Sequence, residues 1–210
     1  MDKKNKLLLG IFVLLITISG VCALVLKMLD TSPIKNELNH TEPEKNKIEN
    51  FNSENNYKNY VNNNFNIKFT YPNNYKLNEG LLGSIVTVYS EKENYEDLFV
   101  ENLNIVTEDL SGRQIKMNLD EYTDLNIAQL EAMFDDFKII SSKKTELSKL
   151  PAYEIIHTSK SEQGKYLKFR QIWTIYNDIA YVITYTAEEN KFDKYFENFD
   201  KIFTSFELLN

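Results

Sequence analysis

Cysteine is almost missing from this chain of 210 residues, and its single example, Cys22, lies in an apolar run. Everything downstream of that run is therefore without disulfides and without thiol chemistry. Histidine is scarcer than a histidine-built zinc site needs. His40 and His157 are the only two, so no HExxH motif, no His-Cys cluster and no second imidazole is available for a zinc site. A Ser-His-Asp triad would have to use His157, yet no G-x-S-x-G elbow precedes it. Six glycines are too few and too scattered, at Gly80, Gly83 and Gly112, for a phosphate loop or a dinucleotide fingerprint. A calcium loop of the D-x-[DN]-x-[DN]-G type is also lacking. The paired carboxylates Glu108-Asp109, Asp135-Asp136 and Glu188-Glu189 are sequence neighbours, which point apart on strands and helices and do not face each other as glycosidase pairs do. These absences lead to the expectation of no catalytic residues, no metal and no cofactor.

Positive charge is also short where a nucleic-acid binder would need it. Residues 65–210 hold 16 basic and 24 acidic residues, a poor match for a polyphosphate partner.

What is present begins with Leu7 to Leu26, a stretch without a charged residue that at about 1.5 Å per residue spans about 30 Å of hydrocarbon. Lys3, Lys4 and Lys6 precede it, whereas Lys27 and Asp30 follow, a bias that keeps the N-terminus cytoplasmic. The leading reading is a single-pass signal-anchor over residues 1–29, with the rest of the chain extracytoplasmic. Two alternatives stay open. Val21-Cys22-Ala23 resembles a small-residue cleavage site, which would release a secreted protein, and Cys22 could carry a lipid, although Val21 is bulkier than the residue a lipobox shows there.

Residues 30–64 are rich in Asn, Lys and Glu with scattered apolar residues, which reads as a flexible tether reaching about 30 Å. It carries the one Asn-x-Ser/Thr sequon, at Asn39, a candidate glycosylation site.

From Phe65 onward the pattern is that of one α+β domain, residues 65–210. FNIKFTYP alternates like a half-buried strand, and LLGSIVTVY and LFVENLNIVTE follow as strands, the latter only partly covered in view of Glu101, Asn102 and Asn104. Asn118 and Glu121 form a capping box ahead of a Thr123, Ile127, Leu130, Phe134 stripe. FKIISSKKTEL and PAYEIIHTS are further strands, with His157 expected at a surface or edge position, and Gly164 supplies a turn. GKYLKFRQIWTIY and IAYVITYT then form a hairpin closed at Asn177-Asp178, a pair suited to a type I′ turn. Thr186 and Glu189 predict a second capping box, and Phe192, Tyr195, Phe196, Phe199, Phe203 and Phe206 an aromatic stripe that belongs to a core. On the first hairpin strand, Leu167, Phe169, Gln171, Trp173 and Ile175 share the core face. The other face is expected to point outward, so Tyr166, Lys168, Arg170 and Tyr176, with His157 from the neighbouring strand, are the candidate ligand face for an anionic or sugar-like molecule.

The segments FNIKFTYPNNY, ENLNIVTEDL, LDEYTDLNIAQLE, FKIISSKKTEL, LPAYEII, RQIWTIYNDIAYVITYTAEE and FDKYFENFDKIFTSFEL resemble, in continuous order over residues 62–208, the PsbP-related family of secreted or membrane-anchored prokaryotic proteins. The resemblance implies a PsbP-like α/β/α sandwich, a central antiparallel sheet flanked by helices, and no enzymatic activity. It is a likeness of core and turn residues, and no ligand motif of the plant photosystem subunits maps onto these positions. The expected function is a membrane-tethered extracytoplasmic binding or scaffolding module. Its partner would be an envelope protein or small ligand. The alternatives are a carrier of a small apolar or anionic ligand, or an envelope hydrolase using His157.

Overall fold

The computed structural model describes residues 56–113, 116–161 and 163–209. Leu7 to Leu26, Cys22, Asn39, His40 and most of the expected tether lie outside the described residues, among which no helix is long and apolar enough to cross a membrane.

Two antiparallel sheets and two helices make an α+β sandwich. The smaller sheet runs β1 (Tyr57–Asn62), β2 (Ile67–Pro72), β10 (Glu207–Leu208), with β2 in the middle. The larger has seven strands in the order β3 (Lys76–Glu79), β4 (Val86–Tyr89), β5 (Asn102–Asp109), β9 (Ile179–Glu188), β8 (Tyr166–Tyr176), β7 (Leu150–Lys160), β6 (Asp135–Leu147). Helix α1 (Leu119–Met133) sits between β5 and β6 in the chain, and α2 (Phe192–Ser205) follows β9.

The central hairpin forms as its turn chemistry dictates. Asn177 and Asp178 take φ of 50° and 59°, the left-handed pair that matches strand twist, and Tyr176 faces Ile179 across it. Gly164 has a φ of 81°, open to glycine at little cost. A third tight turn, between β6 and β7, uses Ser148 and Lys149, both at positive φ.

Side chains alternate across the sheet, so neighbouring residues of β9 serve different cores. Tyr181, Ile183 and Tyr185 pack with Phe69, Phe199, Ile202 and Phe203, joining the small sheet and α2 to one face. Val182 packs with Val106, Tyr122, Leu130 and Trp173 beneath α1 on the other. Asn118 caps α1 as expected. Its side chain accepts from the Glu121 N–H, and the Glu121 carboxylate accepts from the Asn118 N–H.

Four expectations are corrected. The domain begins before Phe65, because Tyr57–Asn62 is a strand paired along its length with β2. Asparagines hide it in the sequence, yet buried Asn62 is held by Tyr60, its carbonyl oxygen accepting from the Asn64 and Phe65 N–H groups. Thr186 and Glu189 make no cap. β9 continues to Glu188 because Thr186 pairs with Asn102 on one side and Phe169 on the other, and α2 starts after Lys191 without a side-chain cap. Glu101, Asn102 and Asn104 are buried rather than partly covered. The even-numbered face of β8 does not point outward, since α2 covers it and Ile172 and Thr174 are buried.

Candidate functional site

The five residues of the expected ligand face do not converge. His157 stands opposite Phe169 and Arg170 opposite Ile156, so the imidazole and the guanidinium leave the sheet on different sides. Arg170 lies under α2. Its Nε donates to Glu154 Oε2 at 2.7 Å, its Nη1 donates to Asp200, and its guanidinium carbon stands 4.4 Å from the Phe203 ring and 5.3 Å from that of Phe196. Lys143 reaches the other Glu154 oxygen at 3.1 Å. Lys168 rests over the Phe192 ring at 4.3 Å and 3.6 Å from Asp193. Tyr176 packs half-buried on the α2 core. Tyr166 remains exposed at the strand end, its hydroxyl donating to Asp136 at 3.1 Å. The cations of this face are thus committed to the domain's own carboxylates and rings.

His157 is neither surface nor edge. It is 0 % exposed, because β6 and β8 flank its strand and Phe134, Phe137 and Phe169 enclose the ring. Phe169 stacks on it at 4.6 Å and 7°, and Phe137 lies 4.8 Å away. The Gln171 amide nitrogen donates to Thr184 Oγ1 at 3.0 Å, which turns Gln171 Oε1, an acceptor only, toward His157 Nε2 at 3.3 Å. His157 Nδ1 has no hydrogen-bond partner among the described side chains. Burial pushes the imidazole pKa down to about 4, against smaller opposing effects of Gln171 and the Thr158 backbone, so the ring is neutral at physiological pH.

Around it lies a polar field that sequence reasoning missed. Asn104 pairs with Thr184 and Thr184 with Gln171, while Asn102 pairs with Thr186 and Thr186 with Phe169. All of these polar side chains are buried on the α1 face. Together with Leu130, Phe134 and Phe169, His157 and three of them, Asn104, Gln171 and Thr184, line a cavity of about 10 Å³, room for about one water molecule. The readable signal was polar residues at alternate positions of apolar strands: Asn102 and Asn104, Gln171, Thr184 and Thr186.

A second cluster closes the β4–β5 loop onto α2. Lys191 Nζ lies 3.1 Å from Asp97, 3.4 Å from Glu93 and 3.4 Å from Glu188. Although burial pulls the lysine pKa down, the Asp97 hydrogen bond and the surrounding carboxylates hold it above its usual range. Glu101 lies buried near them and burial raises its pKa. At the other end of the domain, an open cleft of about 430 Å³ separates the start of α1 from the β6–β7 hairpin, with Asn118, Asp120, Asp124, Lys144 and Pro151 among its walls. Among the described residues no group of three or more His, Cys, Asp or Glu side chains is placed to hold a metal ion.

A family model described as PsbP-like protein matches residues 11–208. No curated protein matches the chain. Among solved structures, cyanobacterial PsbP (CyanoP) from Synechocystis sp. PCC 6803 superposes with a TM-score of 0.52 at 14% identity, covering 73% of this chain and 92% of that one. LpqN of Mycobacterium tuberculosis, described as involved in cell envelope biogenesis, superposes with a TM-score of 0.50 at 10% identity, covering 69% and 83%. At these identities the likeness is one of fold.

Proposed function

The chain belongs to the PsbP-like protein family, and from that premise we propose that it is a membrane-tethered extracytoplasmic module with a non-enzymatic binding or scaffolding role in the cell envelope. The charge-free run Leu7 to Leu26 with lysines before it supports the tether and its orientation, and residues 30–55 supply the spacer. LpqN, a fold relative tied to the envelope by its description, is consistent with that setting.

The observation that carries the non-enzymatic reading is the state of the domain's one imidazole. His157 is sealed among phenylalanines and bonded to an amide. A general base needs reach to a substrate and a partner that stabilises its protonated form. The carrier alternative is disfavoured by the same interior. The α2 face is filled by aromatic side chains, and the cavity at His157 is far below the few hundred Å³ that an apolar ligand requires.

The test is labelling of Glu197→Cys, an exposed position on α2, with a membrane-impermeant maleimide on intact cells. Modification of intact cells is expected. Modification only after lysis would overturn the topology, and hydrolysis of an envelope ester or glycan by the purified protein that is abolished in a well-folded His157→Gln variant would restore the hydrolase.

A further inference from the structure

Apolar side chains scattered singly over a surface need no explanation. Two of them on this domain are not scattered. Tyr95, 89% exposed, and Leu98, 70% exposed, are the most exposed large apolar side chains among the described residues, and both stand on the loop between β4 and β5.

The loop holds them out in a fixed frame. Within it, the Asn94 side-chain oxygen accepts from the Glu96 N–H at 2.8 Å, the Asn94 carbonyl accepts from the Asp97 N–H at 3.3 Å, and the Asp97 carboxylate accepts from the Glu93 N–H at 3.1 Å. On one side the loop is tied to α2, by Lys191 to Asp97 and Glu93 and by Lys194 and the Tyr195 hydroxyl to Glu93. On the other, Phe99 is buried with Leu167 and Phe169 on the opposite face of the sheet. Asp97 and Phe99 are thus sunk into the two layers of the sandwich while Leu98 between them stays in solvent. A segment clamped in this way loses little freedom when another surface closes over it.

We propose that residues 91–98 are a docking knob, with Tyr95 and Leu98 as its anchors, for a protein partner that presents an apolar pocket rimmed by Lys or Arg. The proposal rests on the reading of the chain as a binding module and names its contact surface.

The partner's chemistry follows from the side chains around the anchors. Glu93 and Asp97 are matched by Lys191 and Lys194. Glu91 and Glu96 are exposed and have no ion pair among the described residues, and Lys92 is the loop's one cation, so the rim that a partner meets is acidic. A cation opposite Glu96 is attracted and oriented by it, and a carboxylate there is repelled. Tyrosine suits the centre of such a contact, because its ring fills a pocket and its hydroxyl keeps a polar partner. An anionic bilayer surface repels the same carboxylates, which argues against lipid headgroups as the occupant. A second copy of this chain is a poor match as well, since its exposed Tyr166 is bonded to Asp136, a carboxylate that Glu96 would face.

The experiment uses the full chain in intact cells, with photoreactive benzoylphenylalanine in place of Tyr95 and, separately, of Ile140, an exposed position on β6. Irradiation is expected to give one discrete protein adduct from position 95, with the linked peptide of the partner carrying or adjoining Lys or Arg. Adding Glu91→Lys and Glu96→Lys should cut its yield at least about tenfold, since like charges across an interface are strongly unfavourable. Replacing the partner's nearest cation by Glu should restore it. Unchanged fluorescence of buried Trp173 shows that the reversed variant is folded. No adduct from position 95, a link to phospholipid or to a second copy, or a yield indifferent to the charge reversal overturns the knob. A partner captured from Ile140 and not from Tyr95 overturns the knob and keeps the binding module, whereas no adduct from either position counts against both.

Discussion

Acidification forces a proton toward an imidazole that the fold encloses with Phe134, Phe137 and Phe169. Burial lowers the His157 pKa from 6.5 to about 4. Between those values the unfolded chain binds the proton and the folded chain does not, so the free energy of unfolding rises with pH across the window. The contribution of the neutral ring is complete above pH 6.5 and is lost as pH falls toward 4. A displacement of this size corresponds to roughly 3 kcal/mol, a large share of a domain's net stability. Other groups titrate in the same window. Glu101 acts with the opposite sign, since its raised pKa adds stability that is present at low pH and lost as pH rises. The informative quantity is therefore the difference between the wild type and His157→Gln, in which Glu101, on the other face of the sheet, cancels. Trp173, the chain's one tryptophan, is buried and stacks on Tyr153 at 5.7 Å, which makes its fluorescence a reporter for urea titrations at a series of pH values. The wild type should lose roughly 3 kcal/mol relative to the variant between neutral pH and the lower pKa. A difference that stays flat, or that grows in favour of the wild type on acidification, would refute the account of His157 as a buried neutral ring.

Three further outcomes are expected. Arg170→Ala leaves Glu154, whose side chain is 5% exposed, with Lys143 alone and should cost about 3 kcal/mol in chemical denaturation; Arg170→Lys should recover only part, because an ammonium cannot reproduce the fork to Glu154 and Asp200. Asn118→Ala removes the carbonyl that holds the Glu121 N–H and should lower stability by about 1 kcal/mol. Lys191→Met leaves buried Asp97 without its lysine, while Glu188 keeps Lys165, and should raise hydrogen exchange in residues 91–97, measured by mass spectrometry, with little change in α1.

Turns and helix caps that obey local rules were legible from the sequence. Asn177-Asp178, Gly164 and the Asn118 box need only their own neighbours, and the phenylalanines of α2 recur at a spacing that no other structure explains. The failures share a different cause. Thr186-Glu189 satisfies the local cap pattern but belongs to a strand bonded on both sides, by Asn102 and Phe169, and ladder hydrogen bonds over the whole of β9 outweigh one cap. Arg170 reads as outward-facing because strand alternation assigns a face without saying what covers it. The cover is α2, which brings Asp200 and Phe203 from 30 or more residues away. His157 was misplaced similarly, its depth depending on β6 and Phe134 closing over β7.

The two sides of the large sheet consequently carry different burdens. On the α2 side, Arg170 pairs with Glu154 and Asp200 and Lys191 with Asp97 and Glu188, and Phe192, Phe199 and Phe203 fill the space between. Truncating Phe199 there should cost about 3 to 5 kcal/mol through transfer and cavity terms together. On the α1 side, Asn102, Asn104, Gln171, Thr184, Thr186 and His157 occupy positions where Val or Ile would bury apolar surface at about 25 cal/mol per Å². The sheet forgoes that stabilisation along two adjacent cross-strand rows, next to a row of Val106, Val182 and Trp173 that does not. A scaffold selected for stability alone has no use for such a substitution pattern. The dense aromatic packing behind α2 offsets the apolar burial that the α1 face forgoes.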